Sequence, residues 1–207
     1  MTTLPPLPSN YQAALDLIDQ AHAQDPRKGP NDVPYELHYA QKMTRWLAKR
    51  KPDASPALQL ACRAQHFRRW EIPRSTYPMT RPGYLTWRAK QKSVAAAQLT
   101  ELLSSSSSED KIQPPLLERE EIERVAALVR KEDLKNNEET QVLEDVACLV
   151  FLDDQFDDFE KKPEIDEEKI IGILQKTWGK MSEGGRGLAL GMELSERARM
   201  LVGRALA

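Results

Sequence analysis

The sequence has little of several features that mark particular classes of protein. Only two cysteines, Cys62 and Cys148, occur in 207 residues, which argues against a disulfide framework. Aromatic residues make up 6%, and no apolar run approaches the roughly 18 residues that span a bilayer. The net charge of −2 provides no global basic field for nucleic acid. No secretory signal is visible at the N-terminus. We therefore expect a cytoplasmic or nucleocytoplasmic protein without membrane association, with both cysteines buried as thiols.

Hydrophobic periodicity predicts an all-α protein with a single helical domain. The sequence contains no run of alternating apolar and polar residues flanked by hairpin turns, so no strand is predicted. Residues 1–9 are expected to be a flexible proline-rich tail, residues 10–207 the domain, and residues 104–115 a disordered loop within it. Helices are predicted over residues 10–24, 34–50, 55–71, 84–103, 117–132, 138–159 and 166–181 and from 195 onward. The glycines within residues 184–187 should interrupt the helical structure between the last two predicted helices.

The helix predicted after Ser55 is the first place to look for a functional site. Leu58, Cys62 and His66 stand four residues apart, so they would share one apolar stripe. His66 would then point inward at the end of a buried face. A core histidine with satisfied hydrogen bonds is the alternative.

Two carboxylates fall on apolar stripes of later helices. Glu132 follows Val125 and Val129 at helical spacing, and Asp145 precedes Leu149 and Leu152 in the same way. A buried carboxylate is costly unless a cation or hydrogen bonds compensate it. The alternative is a buried pair between each carboxylate and an arginine.

The second helix offers two further candidates. Glu36 and His38 are two residues apart, so both cannot face the core. Glu36 is favoured as the inward residue, and His38 is kept as its rival. His22, on the edge of the first helix, is expected to be solvated.

Local charge is uneven along the chain. Residues 63–92 contain six arginines and two lysines against one acid, together with aromatic residues that include Trp70, Tyr77, Tyr84 and Trp87. Such a stretch suits the wall of a site for a phosphate or another anion. It could instead neutralise residues 153–168, which hold nine acids against two lysines. RNA binding fits the same mixture of arginine and aromatic residues, but no module signature supports it.

Several of these segments resemble the HD superfamily of metal-dependent phosphohydrolases. Residues 60–67 look like the helix that carries the His-Asp doublet, with His66 as the histidine and Phe67 where the aspartate would stand. Residues 142–149 look like the late apolar helix with its Asp145. The resemblance implies an HD-like bundle of about seven to nine helices.

The same comparison covers two more helices. Residues 35–38 lie where the first histidine of that superfamily occurs, and His38 could fill the position. Residues 128–132 look like an intermediate helix that often carries another histidine, with Glu132 in its place.

Three other pieces resemble the family called domain of unknown function 4202. They are residues 65–74, 83–88 and 143–152, and the resemblance extends over nearly all of the chain from the first helix onward. It implies membership of that family and supplies no activity.

The HD resemblance implies a divergent metal-dependent hydrolase acting on a small phosphorylated or otherwise anionic metabolite. One divalent ion (Mn, Fe, Co, Ni or Zn) would be held by His66, Asp145 and either Glu36 or Glu132, with His38 as the rival ligand.

The remaining roles follow from the same hypothesis. Asp145 and Glu132 would be the catalytic carboxylates, with Glu132 as general base if it is not a ligand. Arg69, Arg74 and Lys131 would bind the anionic substrate. The alternatives are a non-catalytic helical module that binds an anionic ligand or partner, and an iron oxygenase of the HD type.

Overall fold

Helices form most of the protein. The computed structural model describes residues 2–104, 116–160 and 166–207. Within these ranges the helices are Ser9–His22 (α1), Tyr35–Arg50 (α2), Pro56–Arg63 (α3), Arg81–Ser104 (α4), Arg119–Arg130 (α5), Glu138–Val150 (α6), Phe156–Glu160 (α7), Glu167–Lys180 (α8), Glu183–Leu190 (α9) and Glu196–Leu206 (α10). The described residues form no strand beyond one isolated β-bridge between Lys28 and Pro34. The prediction of a single all-α domain is confirmed. Apart from Ser104, the predicted loop at 104–115 lies outside the described residues.

Helix α6 lies at the centre of the bundle. It begins where the Asn137 side chain accepts a hydrogen bond from the Thr140 amide at 3.1 Å, a standard N-cap. It packs against α2, α3, α5, α8 and α9. Its sequence is apolar on most sides, as a helix surrounded by others requires. Its fully buried apolar residues are Val142, Leu143, Val146, Leu149 and Val150.

The first part of the chain covers one side of this core. Helix α1 buries its apolar face, which includes Ala14 and Ile18, and packs against α2, α3 and α4. Residues 2–8 have no regular secondary structure, but Leu4 and Leu7 pack partly buried against the core. Both cysteines are buried free thiols, as expected.

Two predicted helix boundaries are wrong. The helix expected to reach residue 71 ends at Arg63, because the chain tightens at Gln65 and His66 then takes a φ of 63°. The glycine-rich residues 184–187 do not interrupt the helical structure. They lie within α9, whose N-cap Ser182 accepts a hydrogen bond from the Gly185 amide at 3.2 Å. A good cap and tertiary packing outweigh the weak helix propensity of glycine here.

Helix α6 continues into a π-helical turn over Phe151–Gln155, followed directly by α7. No helix in the described ranges is both long and apolar enough to cross a membrane.

Candidate functional site

A left-handed turn after α3 carries His66. His66 has a φ of 63° and Arg68 a φ of 48°, conformations that are uncommon for residues other than glycine. The imidazole ring stacks on the phenol ring of Tyr39 from α2, with ring centroids 4.2 Å apart and planes inclined by 18°. The turn thus takes His66 off the apolar stripe of α3 and sets it against α2.

The protonation state of His66 follows from its neighbour. Nη1 of Arg69 lies 2.6 Å from Nε2 of His66, and an arginine can only donate. Nε2 therefore accepts, so the neutral ring carries its proton on Nδ1. Burial, together with the positive charges of Arg69 and Arg88, holds the pKa of His66 well below its ordinary value.

Beneath this turn lies Glu36, which is buried as predicted, with 1% of its surface exposed. Its Oε1 accepts a hydrogen bond from the backbone amide of Arg69 at 2.7 Å. Its amide donates to Asp25 at 3.1 Å, and Asp25 in turn pairs with Arg27. Burial raises the pKa of Glu36 above its ordinary value. Glu36 therefore serves as a fixed support under the turn that presents His66 and Arg69.

His22 completes this buried network, so the expectation that it is solvated is wrong. Its Nε2 lies 2.9 Å from the carbonyl oxygen of Arg63, so Nε2 carries a proton. Its Nδ1 lies 3.3 Å from Oε2 of Glu36. Phe67, at the position where the HD doublet has aspartate, is buried and packs edge-on against the His22 ring.

Positive side chains gather near His66 around one buried carboxylate, Glu144. Lys131, in the left-handed turn that ends α5, is paired with Glu144, and Nζ of Lys180 lies 3.8 Å from the same group. Burial raises the pKa of Glu144, but the charges of Lys131 and Lys180 outweigh it, and the pKa lies below its ordinary value. Arg88 and Lys92 also interact electrostatically with Glu144, and Arg88 with Arg69. We call these five cations the cationic cluster; its members are Arg69, Arg88, Lys92, Lys131 and Lys180.

Two members of the cationic cluster have no anionic partner. Arg88 and Lys92 lie one turn apart on α4, both partly buried, and neither makes a hydrogen bond or ion pair with any other described residue. Burial and the charges of Lys131 and Arg88 lower the pKa of Lys92. Arg88 also acts electrostatically on His66 and Glu144. Glu144 attracts both cations but lies beyond ion-pair distance of either, so neither charge is paired directly within the described chain.

Of the residues predicted to bind substrate, Arg69 contacts His66 directly, and Lys131 lies near enough to lower the pKa of the same ring. Arg69 also lies over the ring of Trp87, 4.7 Å from its centroid. Arg74 is occupied elsewhere: its guanidinium donates to the carbonyl oxygens of Tyr77 at 2.9 Å and Pro78 at 2.7 Å. It holds the loop before α4.

The prediction that Glu132 faces the core is wrong. The left-handed conformation of Lys131 ends α5, so the helical spacing no longer applies to the next residue. The Glu132 side chain is 56% exposed and pairs with Arg130. It is therefore poorly placed for the general-base role that the sequence suggested.

Asp145 is fully buried, but both of its carboxylate oxygens are occupied. Oδ2 accepts from Nε of Arg50 at 2.8 Å and from Oγ of Ser182 at 2.5 Å. Oδ1 accepts from the Ser182 amide at 2.8 Å and from Gln141 at 2.9 Å. Asp145 therefore joins α2, α6 and the start of α9. Its partner Arg50 makes it the buried pair of carboxylate and arginine that was the alternative to a functional role.

The predicted metal ligands are not gathered around one point. His38 lies 2.7 Å from Asp154 of the π-helical turn, whereas Glu36 and Asp145 belong to the separate networks described above. Among the described residues, no three histidine, cysteine, aspartate or glutamate side chains are grouped so that they could hold a metal ion. The donor set implied by the HD resemblance therefore does not fit a metal in this structure.

Sequence reasoning missed some of the members of this site. Glu144 carries no sequence signal that separates it from its neighbours, and Arg88 and Lys92 were predicted only as part of the basic stretch 63–92. A usable signal existed, because Tyr84, Arg88 and Lys92 recur every four residues on one face of α4.

A comparison with protein families matches residues 12–202 to the family described as Domain of unknown function (DUF4202). Neither curated proteins nor solved structures gave a match.

Proposed function

Because the chain belongs to this family, whose description assigns no function, we propose a function from the site itself: the protein binds a small phosphorylated or otherwise anionic molecule at the cationic cluster. The observation that carries the proposal is the pair Arg88 and Lys92, which lack an anionic partner in the described part of the chain.

Leaving Arg88 and Lys92 without a bound anion costs free energy. A partly buried cation loses hydration, and neighbouring like charges add repulsion, so the pair reduces stability unless an anion is bound. The lowered pKa of Lys92 has the same physical origin. An anionic ligand would relieve both costs, and arginine can grip a phosphate with two hydrogen bonds.

Thermal unfolding in phosphate, pyrophosphate, sulfate and chloride at constant ionic strength tests the proposal. A ligand that binds only the folded state stabilises it by RT ln(1 + L/Kd), where L is the free ligand concentration, so the unfolding temperature rises with the logarithm of ligand concentration above Kd. We expect pyrophosphate and phosphate to stabilise the protein more than chloride does.

The matched variants are Arg88→Gln and Arg81→Gln. Arg81 is an exposed cation on the same helix, so its variant has the same net charge. Arg88→Gln should lose most of the stabilisation by anions and Arg81→Gln should keep it. Equal behaviour of the two variants would contradict a specific site and leave only general screening.

Hydrolysis of the bound phosphoester is the second candidate. It is favoured by a neutral imidazole at His66 and a carboxylate held ionised at Glu144 beside the same cations. Glu144 could accept a proton from an attacking water, but its lowered pKa and its ion pair with Lys131 make it a weak base, so slow turnover is expected. No step is assigned to a metal, because the described donors do not fit one.

A panel of phosphoesters, assayed with and without added Mn²⁺ or Co²⁺, tests the second candidate. Turnover that Glu144→Gln removes, while binding is retained, would support it. Binding without turnover of any ester would favour the non-catalytic module. As part of the proposal we place the protein in the cytoplasm, since buried free thiols at Cys62 and Cys148 suit a reducing compartment.

A further inference from the structure

Tyr39 has a hydroxyl group with no hydrogen-bond partner among the described residues. The residue is 2% exposed, and its ring is covered by the stacked His66. Arg69 and Arg88 both act electrostatically on it. Burial raises its pKa, so the phenol stays protonated and can donate. The hydroxyl is not among the buried polar atoms that lack a partner in the described residues, so it reaches solvent and is open to a ligand.

His66 presents a second donor of the same kind. With Nε2 facing Arg69, the proton lies on Nδ1, and Nδ1 has no partner in the described ranges. The two rings are stacked with their centroids 4.2 Å apart, and Arg69 and Arg88 of the cationic cluster act electrostatically on both.

We propose that the Tyr39 hydroxyl and the His66 Nδ1–H together bind oxygen atoms of the ligand, and that the ligand group is therefore a phosphate ester or pyrophosphate rather than a carboxylate. This inference rests on the proposed anion site. It adds two uncharged donors and narrows the chemical class of the ligand.

The charge of the unpaired groups supports this choice. The Tyr39 hydroxyl, the His66 Nδ1–H and the cations Arg88 and Lys92 come from three separate segments, and none of them has a hydrogen-bond partner within the described chain. A carboxylate carries one negative charge and would balance only one of the two cations, whereas a phosphate monoester carries about two at pH 7. A terminal phosphate offers three oxygens in a tetrahedral arrangement, which donors approaching from several directions can share.

Glu36 is the positioning residue for this donor pair. It lies three residues before Tyr39, on the same face of α2, and accepts the Arg69 amide at 2.7 Å. Arg69 then fixes the His66 ring through Nε2. Helix α2 thus determines the position of the Tyr39 phenol directly and that of the His66 imidazole through the left-handed turn.

The test uses Tyr39→Phe with Tyr35→Phe as the matched control. Both changes delete one hydroxyl from α2, but the Tyr35 hydroxyl already accepts a hydrogen bond from Gln155 at 2.7 Å. Calorimetric titration with pyrophosphate should show about tenfold weaker binding for Tyr39→Phe, the usual effect of losing a hydrogen bond to a charged group. Tyr35→Phe should bind within about twofold of wild type. Acetate at the same ionic strength should bind far more weakly to wild type than pyrophosphate does.

The donor at His66 is tested without any ligand by ¹⁵N NMR of the imidazole nitrogens. We expect a neutral ring protonated on Nδ1 at pH 7. His66→Asn, which keeps a donor near that position and tolerates the left-handed backbone, should retain more pyrophosphate affinity than His66→Ala.

The outcomes separate the two proposals. If wild type binds pyrophosphate, Arg88→Gln weakens it and Tyr39→Phe does not, the donor pair is wrong and the anion site stands. A His66 ring protonated on Nε2 would also overturn the donor pair. If wild type binds neither phosphate nor pyrophosphate, both proposals are contradicted.

Discussion

Nη1 of Arg69 lies 2.6 Å from Nε2 of His66, and this contact determines which nitrogen of the imidazole can donate to a ligand. A histidine beside an arginine stays neutral, because a second positive charge at that distance is costly. The pair therefore turns a residue that often titrates near pH 6.5 into a fixed uncharged donor.

Removing Arg69 should raise the pKa of His66. In Arg69→Met the largest neighbouring charge is lost while burial of the ring remains, so the pKa should move up toward the ordinary histidine value without fully reaching it. An NMR pH titration of the ring protons measures the shift. An unchanged pKa in Arg69→Met would mean that burial alone keeps the ring neutral.

The stability lost on replacing Glu36 should depend on the hydrogen-bonding groups of the new side chain. Glu36→Gln keeps an oxygen for the Arg69 amide and offers an N–H to Nδ1 of His22, so we expect a loss of about 1 kcal/mol. Glu36→Met leaves both groups unpaired in the core, and about 3–5 kcal/mol should be lost. Urea unfolding gives both values. Equal losses for the two variants would show that packing, not hydrogen bonding, sets the role of Glu36.

Glu144→Gln should lower stability and strengthen anion binding at once. It leaves Lys131, which is 11% exposed, without its carboxylate, at a cost of roughly 1–3 kcal/mol. It also removes the anion that competes with the ligand, so pyrophosphate should bind more tightly and restore stability. Glu132→Gln, at an exposed position, should change neither quantity appreciably.

The lowered pKa of Glu144 gives this variant a pH signature. A group whose pKa is lowered in the folded state stabilises the protein above its unfolded pKa, and that contribution is lost as pH falls through the folded value. Acid unfolding of Glu144→Gln should therefore lack part of the loss of stability that wild type shows in this window. Parallel curves of stability against pH for wild type and Glu144→Gln would contradict a lowered pKa at Glu144.

Gly185 should tolerate no side chain, in contrast to Gly187 two residues later. A Cβ on Gly185 would lie 2.7 Å from Cγ of the buried Asp145, whereas one on Gly187 meets nothing within 4 Å. Gly185→Ala must displace the Asp145 anchor, and we expect a loss of at least about 2 kcal/mol. Gly187→Ala should be neutral or stabilise α9 by up to about 1 kcal/mol. Similar unfolding midpoints for the two variants would show that the contact with Asp145 is unimportant.

The fold was largely predictable because the helices of this chain have strong periodic apolar faces. Helix α6 was identified from its apolar residues, which are buried as that pattern requires. The burial of Glu36 and of Asp145 followed from the same helical spacing.

The site was less predictable because it depends on where helices stop. Left-handed backbone at His66 and Lys131 ends the helical spacing, moves His66 against Tyr39 and turns Glu132 outward. Neither residue is glycine, so the sequence carries no local signal for these turns. The buried contact of His22 with Glu36 joins α1 to α2, which periodicity within one helix cannot reveal.

The most direct test of the account is a calorimetric titration of pyrophosphate into two double variants of equal charge. Arg88→Gln with Lys92→Gln removes the two unpaired cations, and Arg81→Gln with Lys90→Gln removes two exposed cations from the same helix. The account predicts saturable one-to-one binding to wild type and to the second double variant, with affinity at least about tenfold lower in the first. Equal affinity in the two variants, or no saturable binding to wild type, would contradict it.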